Sequence, residues 1–452
     1  MQFRLTNEFI EELKGLVKQE DKVRVKKLIK VLHPADLAEI FDSISTEETK
    51  FLYLILDGEQ AADVLTEMEE DVREQLLNVL SAEDIAIHIR ENIDSDDAAD
   101  MLQELSKEKK EEILQKIGDV EQAGDIADLL KYHEDTAGGL MAKELVKVNE
   151  NRDIAACIKD IRKQAEEVDE FYYIYVVDDN NILKGIVSLK KLILGRPNTK
   201  IKGITNTEVI AVRTDTRSEE VANIMEKYDL VSLPVIDQVG RLIGRITIDD
   251  VVDVIKEEAE KDYQMISGIT EDIEPSDNTL MHTRARLPWL LIGLVGGILG
   301  AQVIGFFEES LRINPNIALF FPLIAAMGGN VGVQSSSIVV QGIAANIIDL
   351  QSTSGKLLKE LLIAILNGSI LSSLIFVYNL LFSDSFILTL TVSVALFAVI
   401  IFASVFGTFV PLVLNKFKID PALATGPFIT TINDIMGIFI YLGIGRIFYS
   451  LL

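Results

Sequence analysis

The sequence has one cysteine, Cys157, and four histidines that lie far apart along the chain. A single cysteine permits neither an internal disulfide nor a thiolate zinc cluster. The histidines lack the i, i+4 spacing of a metalloprotease helix, and the chain has no Gly-x-x-x-x-Gly-Lys-Ser/Thr loop for ATP hydrolysis. We therefore expect a protein that is not an enzyme.

Basic residues are scarce, since 43 lysines and arginines face 70 aspartates and glutamates, for a formal net charge of −27. The imbalance is confined to residues 1–282, which hold 63 acidic and 35 basic residues, whereas residues 283–452 hold seven and eight. An acidic region of this size repels phosphate backbones, which excludes nucleic acid held by counterion release as a partner. The contrast predicts an acidic soluble part joined to an almost uncharged part.

Residues 1–133 predict helices only, because apolar residues recur at helical spacing and Gly and Pro are rare. A related phrase of helix, acidic turn and helix returns from Leu37, from Ala61 and from Ala98. We expect an all-α superhelical N-domain in which each helix pair buries its apolar stripe against the next. The first residues lack the apolar core of a signal peptide, so we expect the N-terminus to be cytoplasmic.

Residues 134–255 repeat a pattern of helix, strand, turn, strand and helix, with strands predicted at FYYIYVVDD and ILKGIVSL in the first copy. The pattern resembles a tandem pair of cystathionine beta-synthase (CBS) domains, an α/β unit that often binds adenosine nucleotides. The second copy matches that family's Gly-x-x-Thr-x-x-Asp signature at Gly244, Thr247 and Asp250, which implies a site for ATP, whereas Lys191 replaces the aspartate in the first copy. A Thr-x-x-Asp after a strand is also an ordinary start of a helix, and this alternative stays open.

Residues 256–283 predict a long acidic connecting helix, and residues 284–452 predict a transmembrane domain with five helices. The apolar stretches lie at about 287–307, 316–347, 357–382, 386–414 and 422–445, each long enough to span a hydrocarbon core of about 30 Å at about 1.5 Å per residue. Lysines and arginines fall on alternate connections, which by the positive-inside rule places the acidic domains in the cytoplasm and the C-terminus outside. We expect a multi-pass protein of the cell membrane.

One carboxylate, Asp434, lies well inside the last apolar stretch, where an ionised side chain costs at least about 2.5 kcal/mol. Asn433, Thr430, Thr431 and Gly426 precede it, and helical spacing places Thr430 and Asp434 on one stripe. We expect these residues to line a wet ion path. A lone carboxylate held by an amide of another helix is the alternative.

The second apolar stretch contains Gly-Gly-Asn-x-Gly at 328–332, with Asn330 in its centre. Glycines there weaken a helix unless its backbone is held by protein or lines a water-filled cavity, which favours a substrate route over simple helix packing. With oxygen ligands only, such a route favours the hard cations Mg²⁺, Ca²⁺, Mn²⁺, Na⁺ and K⁺ over copper or zinc. Two chains meeting on an axis would present two Asp434 side chains to one divalent ion.

Five segments carry a resemblance to a known family: HPADLAEIF from His33, TAGGLMA from Thr136, DDVVDV from Asp249, PLIAAMGGNVGVQSS from Pro322 and DPALATGPFITTINDIMG from Asp420. Through them nearly the whole chain resembles the MgtE family of magnesium channels. The resemblance implies a homodimer with five spans per chain, an ion path at the dimer axis and Asp434 as the selectivity aspartate. One departure is Gln341 before Gly342, where the family usually has Arg-Gly.

The resemblance also implies that cytoplasmic domains sense Mg²⁺ and close the pore when it is abundant. The candidate sensor carboxylates are Asp249, Asp250, Asp253, Glu257, Glu258 and Asp262 near the connecting helix, and Glu59, Asp94, Asp96 and Asp97 of the N-domain. Divalent ions that bridge acidic lobes would offset their repulsion and draw them together. A merely solubilising acidic surface is the alternative.

These features predict a magnesium-selective, magnesium-gated channel for passive Mg²⁺ influx, with Mg²⁺ as cargo and regulator and ATP as a further ligand of the CBS pair. The alternative is a secondary transporter that exchanges Mg²⁺, Mn²⁺ or Co²⁺ for Na⁺ or H⁺. A sensor that reads nucleotide and signals without transport fits less well, because a receptor has little need of polar residues in mid-span.

Overall fold

The computed structural model describes residues 4–165, 168, 171–270, 273, 278–344, 353–424 and 426–451. The chain forms two compact units, Met1–Lys256 and Glu257–Leu452. The first unit is helical and then α/β, and the described residues of the second unit form helices and their connections. These elements agree with the predicted fold class: an all-α N-domain, an α/β part with the two repeats predicted to be a CBS pair, and a helical part with long apolar helices.

The N-domain, described from residue 4 onward, consists of ten short helices. They are α1 (Asn7–Lys18), α2 (Lys22–Ile29), α3 (Pro34–Asp42), α4 (Thr46–Tyr53), α5 (Gly58–Glu67), α6 (Glu70–Val79), α7 (Ala82–Asn92), α8 (Ser95–Gln103), α9 (Lys107–Lys116) and α10 (Val120–Leu129). Helix α4 begins with a capping box between Ser45 and Glu48. Helix α3 packs on α5, α5 on α7 and α7 on α9, so that each helix pair buries its apolar stripe against the next pair.

One buried ion pair ties two of these helices together. Arg73 of α6 is bonded through its guanidinium to the carboxylate of Glu104, which directly follows α8. The Glu104 side chain is only 5% exposed. Burial raises the pKa of Glu104 to about 7, although Arg73 acts in the opposite direction.

The CBS pair consists of two small three-stranded sheets with their helices. The first copy contains β1 (Lys147–Asn149), α11 (Ile154–Gln164), β2 (Ile174–Val177), β3 (Leu183–Val187) and α12 (Leu189–Leu194). The second contains β4 (Val212–Arg213), α13 (Ser218–Lys227), β5 (Ser232–Ile236), β6 (Leu242–Thr247) and α14 (Ile248–Ile266). In each copy the first strand pairs parallel with the second, and the second pairs antiparallel with the third. The two copies meet where the Tyr175 hydroxyl lies 2.9 Å from the Ser232 hydroxyl, with both side chains buried.

Helix α14 is shorter at its C-terminal end than the helix predicted over residues 256–283. It ends at Ile266, because Gly268 has a left-handed backbone with φ of +81° and the Gly268 N–H donates to the Met265 carbonyl. The next helix starts at Thr279, capped by the side chain of Asn278. Residues 271, 272 and 274–277 lie outside the described part of the chain.

Among the residues that the structure describes, five helices are long and apolar enough to cross a membrane. They are α15 (Thr279–Phe306), α17 (Phe321–Ala344), α18 (Thr353–Phe382), α19 (Phe386–Lys416) and α20 (Pro427–Leu451), with the short α16 (Glu308–Ile313) between the first two. Helix α19 is the centre of the bundle, since α17, α18 and α20 all pack against it. Helices α15 and α18 leave large apolar side chains exposed, including Leu290, Leu294, Leu366 and Leu374, as expected for surfaces that face lipid.

Candidate functional site

Glycines bring α17 close to its neighbours without breaking it. The helix runs unbroken through Gly328–Gly332. A Cβ added at Gly332 would lie 1.9 Å from the Asn433 amide nitrogen of α20, and one added at Gly407 of α19 would lie 2.4 Å from the Gly332 carbonyl oxygen. The helix stays intact as expected where protein holds the backbone, because Gly332 and Gly407 are packing positions at which neighbouring helices approach closely.

A cavity of about 310 Å³ lies between α17 and α20. Its lining consists of Ala325, Ala326, Gly329, Asn330, Val333, Gln334, Thr430 and Asp434. Asn330 and Gln334 are exposed in the single chain. Three of the residues predicted to line an ion path, Asn330, Thr430 and Asp434, thus share one water-accessible wall.

Asp434 stands out in this cavity for its lack of partners. Among the residues that the structure describes, no side chain or backbone group hydrogen-bonds to its carboxylate, and no charged group acts on it. The nearby Thr430 hydroxyl donates to the Gly426 carbonyl at 2.9 Å. Asp434 is only partly buried, so its oxygens remain available to water or to an ion.

The other predicted pore residues lie elsewhere. Thr431 faces α15, where a Cβ added at Gly296 would lie 2.0 Å from its methyl group. Asn433 is 1% exposed and packs against Gly332, and neither polar atom of its amide has a partner among the described residues. Gly426 has φ of +52° and lies against the Ile266 backbone, a close approach that requires a glycine.

Glu360, which no local sequence pattern singles out, is a second carboxylate inside the described part of the bundle. The Ser335 hydroxyl of α17 donates to Glu360 of α18 at 2.6 Å, and the Ser404 hydroxyl of α19 donates to the same oxygen. Both serines are buried. This carboxylate is therefore satisfied by protein donors, in contrast to Asp434.

A second set of carboxylates lies in the first unit at the start of α8. Asp94, Asp96 and Glu144 each place one oxygen within 4.8 Å of the others, and we refer to these three residues as the acidic cluster. The Ser95 hydroxyl donates to Glu144 at 2.7 Å and accepts from the Lys143 N–H at 3.0 Å, which holds the segment before β1 against α8. Glu144 was not predicted as a sensor residue, because nothing local to it indicates that it meets residues about 50 positions earlier.

The acidic cluster is crowded by further carboxylates. Burial first, and then the charges of Asp250 and Asp97, raise the pKa of Asp96 well above its ordinary value. The pKa of Asp97 is raised to about 7 by burial and by Asp250, and burial raises that of Asp250 to about 6. Asp96 and Asp97, which are adjacent in the sequence, thus interact with the distant sensor candidate Asp250. Carboxylate oxygens such as those of the acidic cluster are the ligands that Mg²⁺ and Ca²⁺ prefer.

One basic side chain also reaches the acidic cluster. The Arg245 guanidinium lies 3.9 Å from Asp94 and donates to the Glu144 backbone carbonyl at 2.6 Å. A single guanidinium cannot neutralise three carboxylates and two acidic neighbours. Room for positive charge therefore remains at this site.

The remaining sensor candidates lie outside the acidic cluster. Asp249 and Asp253 are exposed on α14, and so are Glu59 on α5 and Glu257. Glu258 lies 3.5 Å from Lys261, and Asp262 is partly buried. Within the described part of the chain, only the acidic cluster itself has three ligand atoms in mutual reach.

The predicted nucleotide residues, Thr247 and Asp250, bond to each other. The Thr247 N–H and hydroxyl donate to Asp250 at 2.9 and 2.7 Å, which starts α14 in the manner of a capping box. Asp250 is thus also a neighbour of the acidic cluster. Thr247 and Asp250 thus form the ordinary helix start that was the alternative to a nucleotide site. This role is compatible with nucleotide binding and does not test it.

Comparison with known proteins accounts for all three parts of the chain. Residues 321–444 match the family described as a divalent cation transporter, MgtE; residues 32–135 match the MgtE intracellular N domain; and residues 137–195 and 201–257 match the CBS domain. The chain is 32% identical over 438 residues to the magnesium transporter MgtE of Thermus thermophilus, covering 96% of this chain and 97% of that protein. It is 30% identical over 433 residues to the magnesium transporter MgtE of Bacillus subtilis, covering 95% of each.

A solved structure resembles the first unit. The crystal structure of the cytosolic domain of the Mg²⁺ channel MgtE in complex with ATP is 35% identical to this chain, with a TM-score of 0.50. The matched region covers 54% of this chain and 99% of the solved chain.

Proposed function

We propose that this chain, which belongs to the MgtE family of magnesium transporters, is a magnesium-selective channel that carries passive Mg²⁺ influx and closes when intracellular Mg²⁺ is abundant. The observation that carries the proposal is the lack of any partner for Asp434 among the described residues, in a cavity between helices that are able to span a membrane.

The cavity chemistry favours a hydrated divalent cation as cargo. Asn330, Gln334 and Thr430 offer neutral oxygens, and Asp434 supplies the single charge. Mg²⁺ releases its waters reluctantly, so one carboxylate with amide and hydroxyl neighbours suits recognition through the hydration shell. Because this wall is exposed in the single chain, we propose that a second copy completes the path and adds a second Asp434, giving a homodimer.

The acidic cluster supports the gating half of the proposal. Burial, and then the charges of neighbouring carboxylates, raise the pKa of Asp96 in this cluster and of the adjacent Asp97, so uncompensated negative charge is costly there. A divalent ion bound there would stabilise the contact of α8 with the segment around Glu144 and the start of α14. Loss of the ion would favour separation of these elements, and we propose that this change opens the pore. We also propose that the N-terminal domains lie in the cytoplasm and the C-terminus lies outside.

We further propose that ATP binds at the CBS pair and influences the gate. The support is the Gly-x-x-Thr-x-x-Asp signature and the similarity to a cytosolic domain solved with ATP. Asp250 would then contact the nucleotide and also act on the neighbouring acidic cluster through its charge. Binding of ATP would therefore alter the charge that the acidic cluster experiences.

The pore is tested by replacing Asp434 with asparagine. In proteoliposomes that contain a magnesium-sensitive dye, we expect Asp434→Asn to abolish Mg²⁺ influx, because the isosteric amide removes the only charge of the described cavity wall. Asp384→Asn is the matched control, since this carboxylate lies in the connection between α18 and α19. Undiminished influx through Asp434→Asn would refute the pore assignment.

The same vesicles distinguish a channel from an exchanger. A channel supports Mg²⁺ flux without Na⁺ or a proton gradient, and a membrane potential of negative sign inside accelerates it. An obligatory dependence on Na⁺ or on a pH gradient would instead establish the secondary transporter.

A further inference from the structure

The N-domain carries one strongly basic surface, which is unexpected in the acidic part of the chain. Helix α2 has the sequence KVRVKKLI and contains no acidic residue, and Lys30 follows it. Val25 and Ile29 of this helix are buried in the core. The opposite face therefore presents its lysines to solvent.

These lysines line a groove together with exposed apolar side chains. The groove has a volume of about 540 Å³ and is lined by Lys22, Val23, Lys26, Lys27, Lys30, Leu54 and Ile55; we call these seven residues the basic groove. Residues 23, 26, 27 and 30 share one helical stripe, since they follow i, i+3, i+4 and i+7 spacing. Val23 is 81% exposed and Leu54 is 54% exposed, and the neighbouring Val31 is 82% exposed.

The positive charge of the basic groove is mostly uncompensated. Lys30 lies 3.9 Å from Asp57, an exposed pair of little strength, and Lys22 lies over the Phe51 ring. Within the described residues, Lys26 and Lys27 have no carboxylate within 4.0 Å. In a region with 63 acidic and 35 basic residues, such a patch is a local reversal of sign.

We propose that the basic groove binds the surface of a bilayer that contains anionic lipids. Lysines would contact the headgroups, while Val23, Val31 and Leu54 would enter the boundary between headgroups and acyl chains, as on other basic and apolar membrane-binding surfaces. Charge complementarity favours an anionic partner, and the protruding apolar side chains favour a lipid surface over a soluble acidic peptide. The five membrane-spanning helices hold the chain at a bilayer, which gives lipid a high effective concentration.

The test uses the full chain in nanodiscs with a polarity-sensitive fluorophore on Val31→Cys. The native Cys157 is buried and stays in place, and the labelled wild-type chain measures its background. We expect a blue shift in discs of phosphatidylcholine mixed with phosphatidylglycerol, and none in discs of phosphatidylcholine alone. The shift should disappear at about 1 M salt, where the screening length falls to about 3 Å.

Two variants with the same change in net charge separate the basic groove from general repulsion. Lys26→Glu, Lys27→Glu and Lys30→Glu together should abolish the shift, whereas the exposed-site control Lys107→Glu, Lys190→Glu and Lys202→Glu should retain it. Circular dichroism shows whether the charge-reversed variant is folded. If it is not, the neutral variant Lys26→Gln, Lys27→Gln and Lys30→Gln replaces it, and this variant should weaken the shift.

Three outcomes would overturn the proposal. Equal emission in both lipid compositions would remove the anionic bilayer as the partner. A shift caused by pyrophosphate in phosphatidylcholine discs, without any effect of phosphatidylglycerol, would assign the basic groove to a soluble anion. A shift that depends on protein concentration would assign it to a second copy. Because no step measures magnesium flux, the result is independent of the proposed channel.

Discussion

Lower pH should weaken the binding of Mg²⁺ to the acidic cluster of Asp94, Asp96 and Glu144. The pKa of the adjacent Asp97 is raised to about 7 and that of Asp250 to about 6, chiefly by burial, and the pKa of Asp96 is raised as well. These groups hold protons near neutral pH, and a divalent ion must compete with the protons.

The direction follows from the difference between the folded and the unfolded chain. A carboxyl group whose folded pKa lies above its unfolded value binds protons more tightly in the folded state. Without divalent ions, the free energy of unfolding of this region should therefore fall as the pH rises from about 4 to about 7. Mg²⁺ should restore the lost stability, and its effect should be largest at the upper end of this range.

The size of the effect follows from the raised pKa values of about 7 for Asp97 and about 6 for Asp250. Asp97, with a pKa of about 7, is about 90% protonated at pH 6 and about 10% protonated at pH 8. Because Mg²⁺ must displace this proton, its apparent affinity should be about tenfold weaker at pH 6 than at pH 8. Release of a proton from Asp250 adds about twofold. We expect apparent affinity to be about 20-fold weaker at pH 6 than at pH 8.

The assay is magnesium-dependent protection of the full chain from limited proteolysis, titrated at pH 6, 7 and 8 with constant ionic strength. Asp97→Asn should reduce the pH effect to about twofold, because it removes the group with the larger contribution. Glu111→Gln, which removes an exposed carboxylate from α9, should leave the full pH effect. Equal magnesium midpoints at pH 6 and pH 8 would refute the assignment of the acidic cluster as the sensor.

Two further predictions concern stability and come with matched controls. In chemical unfolding, Arg73→Met should destabilise the N-domain by about 3–5 kcal/mol, most strongly above pH 7, where Glu104 is ionised. The control Arg24→Met removes one partner of an exposed ion pair and should cost at most about 1 kcal/mol in the same assay. Gly332→Ala should lower thermal stability in detergent by an amount corresponding to about 1–3 kcal/mol, because its Cβ would lie 1.9 Å from an amide nitrogen of α20, while Gly297→Ala, which has open space, should have no effect. Equal losses within either pair would contradict the packing described here.

The sequence was informative where the determinants are local. Long apolar runs predicted the five spanning helices, and α19 begins at Phe386 as predicted. Helical spacing also grouped Thr430 with Asp434, and both line the cavity. By contrast, β1 and β4 were missed, because strands of three and two residues carry too few side chains to show an alternating pattern.

The sequence was uninformative where residues meet across long separations. Asn433 and Thr431 adjoin the predicted path in sequence, yet successive helical residues point about 100° apart, so they face α17 and α15 rather than the cavity. Glu144 joins Asp94 and Asp96 only because the segment before β1 returns to α8. Such contacts depend on tertiary packing, and a single sequence gives no signal for them.

Two carboxylates in the described part of the helical bundle show how a structural acid differs from a candidate functional one. Glu360 receives hydrogen bonds from Ser335 and Ser404, so its presence between helices is explained by the protein itself. Asp434 receives none from the described residues, although an unsatisfied carboxylate in a spanning helix is expensive. If Asp434 only joined helices, the bundle would gain stability by giving it a donor, as it does for Glu360. Its open position beside Asn330 and Thr430 is therefore better explained by a partner from solution, and a hydrated cation provides the required charge.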